Sequence, residues 1–243
     1  MPLLECVGLV KDFPYKRAID NVDFHVEPGE IVGLVGREGA GKTTAYRIAC
    51  GLLSPTSGRV LFNGVDSTDW MPDRRVRLGV RCIARELSVY RTMTVEQALM
   101  ADSQSLEMNP KQQRSQADEL LRQFGLDSRR NAIVGSLSIG EQRRLEIAKC
   151  LVGKPSLVVL DEPFDVLDLV TTHSIEVILS DASQSGLSVL LTDNRGRDIL
   201  TLAHRIYVLC GGKVVVSGDA KTVLGNLDAR RAYFGEEGFS KPL

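Results

Sequence analysis

Gly36-Arg37-Glu38-Gly39-Ala40-Gly41-Lys42-Thr43 is a glycine-spaced stretch that ends in a lysine and a hydroxyl residue. It fits the pattern G-x-x-x-x-G-K-[ST]. Chance alone gives such a match in a chain of 243 residues roughly once in a hundred, from average residue frequencies. The context argues against chance. Ile31 to Val35, just before it, is a short apolar strand. The residues after Gly41 read as a helix to about Cys50, stopped by Gly51 and then Pro55. A glycine-rich turn at a strand–helix junction lets several backbone N–H groups point inward. The positive end of the helix adds to their field, and the product is an anion cradle.

The residue types select phosphate as the anion. Gly36, Gly39, Ala40, Gly41 and Thr44 shape the cradle. Lys42 would reach the β- and γ-phosphates of a nucleotide, and Thr43 would supply a Mg²⁺ ligand. Arg37 and Glu38 put a charge pair on the outer edge. Glu38 would repel phosphate if it pointed inward, so it is expected to face solvent or to pair with Arg37.

A second constellation lies about 120 residues downstream. Leu157 to Leu160 is a continuous apolar run, as a strand covered on both faces requires, and it ends in Asp161 and Glu162. Asp161 would hold Mg²⁺ at the mouth of the loop, directly or through water. Glu162 suits polarising a water that attacks the γ-phosphate.

Strand and helix signals divide the rest of the chain. Val22, Phe24 and Val26 alternate with polar residues, and Val60 to Val65 carries an Asn63-Gly64 turn signal. From about Arg91 to Lys154 strand signals vanish, and Leu120, Leu121, Phe124 and Leu126 form the apolar face of a polar helix. The apolar runs then resume at Leu157 and Leu187, and a hairpin is expected around Cys210 to Lys213. The expected fold class is α/β with an inserted helical subdomain, and likeness of the glycine loop to that of P-loop NTPases implies a core of RecA type with an antiparallel β subdomain. The expected organisation is a single nucleotide-binding domain over 1–243. Its core is 1–87 and 156–226, its helical subdomain 88–155, and its charged tail 227–243, with Tyr233, Phe234 and Phe239 as anchors.

Composition narrows the partners. The net charge is −1, so nucleic acid is not expected as the main partner. Aromatic residues make up 5%, too few for a base-stacking platform. No apolar run approaches the ~20 residues of a membrane span, and Met1 to Glu5 does not read as a signal peptide. The five cysteines include no Cys-x-x-Cys pair and read as reduced core fillers. A role at a membrane therefore needs a second protein.

With these residues in view, a family resemblance appears. Leu137-Ser138-Ile139-Gly140-Glu141 resembles the signature motif of ABC transporter ATP-binding subunits, usually Leu-Ser-Gly-Gly-Gln/Glu. Asp168 falls where that family has its D-loop aspartate. The P-loop, signature, acidic strand and D-loop occur in the family's order. The resemblance implies a head-to-tail dimer that holds ATP and Mg²⁺ between one subunit's P-loop and the other's Ser138 and Gly140. It also implies membrane-spanning partner subunits, met near Val89, Tyr90 and Met93, and a cytoplasmic location on the inner face of the membrane. Phe13, with Tyr15 as the alternative, sits where the family stacks adenine. Within the family, Glu30 to Leu34, Asp161 to Phe164 and Arg231 to Glu236 look most like the ATPase subunit of lipopolysaccharide-export transporters. Branched-chain amino-acid importer ATPases share some of these features.

Three positions depart from the pattern. Arg85 stands in place of a glutamine that helps ligate Mg²⁺, and a guanidinium cannot ligate a cation. Asn194 stands in place of a histidine that contacts the γ-phosphate. Ile139 replaces a glycine of the signature. Lys42, Asp161 and Glu162 are intact. Two readings remain: a slow but active coupling ATPase, or an ATP-binding subunit impaired in hydrolysis that completes a dimer with a more typical ATPase.

Overall fold

The computed structural model describes residues 1–83, 90–104, 106, 108–165, 167–194 and 197–234. The chain begins with β1 (Leu4–Phe13), β2 (Lys16–Val26), β3 (Ile31–Val35), α1 (Lys42–Ala49), β4 (Ser57–Phe62), β5 (Val65–Asp66), α2 (Pro72–Arg77) and β6 (Val80–Ile83). The middle is helical: α3 (Val95–Gln104), α4 (Pro110–Gln123) and α5 (Ile139–Cys150). The last part is β7 (Leu157–Asp161), α6 (Leu169–Gln184), β8 (Ser188–Asp193), α7 (Arg197–Leu202), β9 (Arg205–Cys210), β10 (Lys213–Gly218), α8 (Ala220–Gly225) and α9 (Leu227–Phe234).

Among the described residues the strands form two sheets. The first is antiparallel, in the order β2-β1-β4-β5, with Asn63-Gly64 turning β4 into β5. Its alternating residues Val22, Phe24 and Val26 are buried, as their spacing predicts. The second sheet has the order β10-β9-β3-β8-β7-β6 and is parallel except at the β9–β10 hairpin. β3, β7 and β8 are buried along their whole length because both faces are covered. One face packs against α1 and the antiparallel sheet, around Phe24, Tyr46, Ile48, Leu157 and Leu190. The other face packs against α6, α7 and the helical region, around Leu99, Leu121, Leu145, Ile175 and Ile199.

The helical stretch between β6 and β7 buries Leu120, Leu121, Phe124 and Leu126, the apolar face read from the sequence. Arg130 ties this region together. Its guanidinium lies 2.7 Å from Glu96, 2.6 Å from Asp118 and 3.0 Å from Asp127. The tail contributes α9, which buries Ala229 against the core. The side chains of Tyr233 and Phe234, and all of Phe239, lie outside the described residues.

The strand order positions the site. β8 lies between β3 and β7, with Val35 opposite Asp193 and Asp161 opposite Thr192. The glycine loop, Glu162 and Asn194 each leave the C-terminal end of one of these three strands, so they meet at one edge of the sheet. Ligands of open parallel sheets bind at such an edge.

Candidate nucleotide site

The loop after β3 is held by close backbone approaches. A Cβ on Gly36 would collide with the Leu209 carbonyl oxygen. A Cβ on Gly41 would lie 2.6 Å from the Ile19 methyl and 2.8 Å from the Ala18 carbonyl oxygen. Gly41, at φ 109°, caps α1 from the left-handed region. α1 then starts at Lys42, so its first N–H groups open onto the loop's concave side.

That side is a cleft of about 220 Å³. It is lined by Gly39, Gly41, Lys42, Thr43 and Thr44 from the loop, Glu162 and Asn194 from the sheet edge, Lys16 and Ala18 from β2, and Glu38 at the rim. Lys42 is 4% exposed. Its ammonium donates to the Gly36 carbonyl at 2.7 Å, the Arg37 carbonyl at 3.1 Å and Asn194 Oδ1 at 2.6 Å. Burial pushes its pKa down, and the charges of Glu162, Asp161, Asp193 and Glu38 push it back up.

Asp161 and Glu162 are both buried. Thr192, at the end of β8, orders them. Its hydroxyl donates to Asp161 Oδ1 and accepts the Glu162 N–H at 3.1 Å, and its carbonyl accepts the same N–H at 3.1 Å. Glu162 sits at φ 49°, an uncommon region for a side-chain-bearing residue. The turn after β7 is thereby fixed, and with it the start of the Glu162 side chain. Thr43 lines the cleft, and Asp161, buried at the strand end, does not; both are hard oxygen donors of the kind Mg²⁺ takes, to be completed by phosphate and water. Four carboxylates acting on one buried lysine also leave the cleft short of positive charge for a polyanion. A divalent cation would offset that.

The remaining candidates stand apart from the cleft. Ser138 caps α5 in a capping box: its N–H donates to Glu141 at 2.8 Å, and its hydroxyl accepts the Glu141 N–H at 3.2 Å. The backbone N–H of Ser138 beside Glu141, with Arg129 behind, holds that carboxyl below its usual range. Asp168 caps α6, taking the Thr171 N–H and hydroxyl at 2.8 Å each. These bonds lower its pKa, the backbone one most. The two helix starts adjoin: a Cβ on Gly140 would lie 3.4 Å from the Thr171 hydroxyl. Ile139, Leu169 and Val170 are 54%, 79% and 81% exposed there.

Phe13 is half-exposed at the end of β1, with the Lys11 ammonium 5.5 Å from its ring centre, and it does not line the cleft. Glu38 is exposed as expected, yet it also lines the cleft. Arg85 and Val89 lie outside the described residues. Thr192 and Lys16 were not singled out from the sequence. Thr192 left one faint signal, a hydroxyl at the end of the apolar run Leu190-Leu191.

A glycine loop at the edge of a parallel sheet, a lysine at the head of the next helix and an acid-ended neighbouring strand define a P-loop nucleotide-binding protein. A family profile described as ABC transporter matches residues 19–165. The chain belongs to the ABC transporter family, as its ATP-binding, ATPase component. It is 34% identical to the lipopolysaccharide export system ATP-binding protein LptB of Haemophilus influenzae, over 98% of this chain and 99% of that one. Its identity to LptB of Escherichia coli K12 is 33% over the same shares. A probable ABC transporter ATP-binding protein of Azorhizobium caulinodans is 36% identical over 96% of this chain and 83% of its own. Among solved structures, an ATP-binding cassette of an ABC transporter superposes with a TM-score of 0.87 at 25% identity, covering 96% of this chain and 99% of that one.

Proposed function

We propose that this chain pairs with a second cassette, sandwiches ATP and Mg²⁺, and drives export of lipopolysaccharide or a related lipid through separate membrane subunits. One observation carries the pairing: Ser138 and Asp168 lie on an exposed surface, and the signature residues do not line the chain's own cleft. A helix N-terminus such as that of α5 is suited to a γ-phosphate, and a second copy would bring it there. The three exposed apolar side chains beside it would be buried on pairing.

Leu169→Glu with Val170→Glu should therefore leave nucleotide binding intact and abolish the ATP-dependent dimer. Light scattering in the presence of ATP reads the mass directly, and a dimer that persists would move the interface elsewhere.

Similarity to LptB over nearly the whole of both chains supports the lipid substrate. Among the described residues no helix is long and apolar enough to cross a membrane, which supports a partner that spans it. The surface for that partner would include Tyr90, which is part-exposed with the Lys149 ammonium 4.5 Å above its ring, and Met93. The chain would sit on the cytoplasmic face of the membrane. The test is ATPase turnover of the chain co-purified with its membrane subunits. Stimulation by lipopolysaccharide supports export; stimulation by branched-chain amino acids instead would favour the importer reading.

A second reading, impaired hydrolysis, is favoured by the hydrogen bond that ties Asn194 to Lys42. Arg85 and Ile139 add to it. The isolated protein should then turn over slowly. Arg85→Gln with Asn194→His should raise the rate ~10-fold, because together they restore a Mg²⁺ ligand and a γ-phosphate contact. That needs only about 1.4 kcal/mol of added transition-state stabilisation. A wild-type rate on the order of 1 s⁻¹ or more, ordinary for an enzyme, would remove this reading.

A further inference from the structure

Lys42 has three ammonium protons, and three protein oxygens take them at 2.7, 3.1 and 2.6 Å. A phosphate oxygen entering the cleft must displace one of these acceptors. Two of them, the Gly36 and Arg37 carbonyls, belong to the loop that carries Lys42. Packing of Gly36 against the Leu209 carbonyl and of Gly41 against Ala18 and Ile19 fixes that loop. The third, Asn194 Oδ1, arrives from the far end of β8, 152 residues along the chain. It is a side-chain acceptor, it lines the cleft, and it can turn away without moving any backbone. Chemistry also settles which end of the amide faces the lysine: an ammonium offers only donors, so the carbonyl oxygen must be the partner. The bond is short and charge-assisted, the strong kind.

We infer that Asn194 is a latch on Lys42, a positioning residue that holds the ammonium and must release it before any nucleotide phosphate can bind. The inference rests on the reading of the cleft as the phosphate site. The latch sets nucleotide affinity through Lys42 rather than through the γ-phosphate. Its cost therefore falls on ATP and ADP alike, whereas a residue that touched the γ-phosphate would affect ATP alone. Adenosine, which lacks phosphate, escapes the cost.

Two substitutions of opposite sign test it. Asn194→Ala removes the competing acceptor and should tighten both ATP and ADP about 5-fold, within the net worth of one hydrogen bond. Asn194→Asp keeps the shape and adds a charge that grips Lys42 and repels phosphate, so both nucleotides should weaken by about 30-fold or more. Calorimetric titration with ATP, ADP and adenosine, each with Mg²⁺, reads these changes, and adenosine affinity should stay constant throughout. Misfolding cannot tighten binding, so the alanine result is diagnostic. Unchanged affinities in both variants would overturn the latch. So would an alanine variant that loses ATP affinity and keeps ADP affinity, since Asn194 would then be a γ-phosphate donor. Lys42→Ala separates failure of the cleft reading itself: equal binding by that variant and the wild type discards the phosphate site, and the latch with it.

Discussion

Lys42→Ala lowers nucleotide affinity about 10- to 150-fold, the loss of one charge-assisted phosphate contact worth ~1.5–3 kcal/mol. Calorimetric titration with MgATP is the measurement. The size reflects the environment of the side chain. Lys42 is buried and lies within the influence of Glu162, Asp161, Asp193 and Glu38. Its removal leaves those carboxylates facing an incoming polyanion without their buried cation. It also removes the ammonium donor that the Asn194 carbonyl accepts from. The Gly36 and Arg37 carbonyls of the loop lose their donor as well, but the approaches of Gly36 to Leu209 and of Gly41 to Ala18 and Ile19 do not involve the lysine side chain and should keep the loop's shape. An unchanged affinity would mean that the phosphates lie elsewhere.

The loop was legible in the sequence because its chemistry is local. Glycines at fixed offsets, a lysine at a helix start and an apolar strand before them leave few alternatives. The helix from Lys42 ends at Ala49 with Cys50 as its cap, close to the expected stop, because Gly51 comes next. The buried strands were legible for a similar reason: Leu157 to Leu160 and Val189 to Leu191 are too uniformly apolar to face water. The lateral order of the strands was not legible. Nothing in the chain order says that β8 inserts between β3 and β7, yet that insertion brings Asn194 onto Lys42 and Thr192 onto Asp161 and Glu162. Thr192 escaped notice because a β-branched residue at the end of a strand is already explained by strand propensity. Lys16 escaped notice because a lone lysine in a hairpin reads as solvated; only the packing of β2 beside the loop carries it to the cleft. By its place in the chain Asn194 stands where the family has a histidine at the γ-phosphate. Its contact with Lys42 is a property of the folded edge, which no motif spacing encodes.

Glu162→Gln should lower kcat about 10²- to 10³-fold and leave ATP affinity unchanged or tighter, because loss of a general base costs rate and loss of a carboxylate in the cleft removes a repulsion of phosphate. The substitution is close to isosteric, which matters at a site that is 5% exposed: it leaves no cavity. Glutamine also inherits the backbone arrangement. The left-handed φ of 49° and the two bonds from the residue's N–H to Thr192 involve no atom of the carboxylate. The amide cannot accept a proton from water at neutral pH, so the chemical step is lost while nucleotide binding persists. If the wild-type protein turns over too slowly to resolve the loss, the Arg85→Gln, Asn194→His background supplies a measurable rate, and Glu162→Gln there should remove the gain. Steady-state phosphate release together with an ATP titration separates the two quantities. A fall in affinity that matched the fall in rate would make Glu162 a ligand for nucleotide or Mg²⁺. A kcat reduced less than about 10-fold would mean that the base is another carboxylate of the same edge, and Asp193, buried at the end of β8 just before Asn194, would be the residue to test.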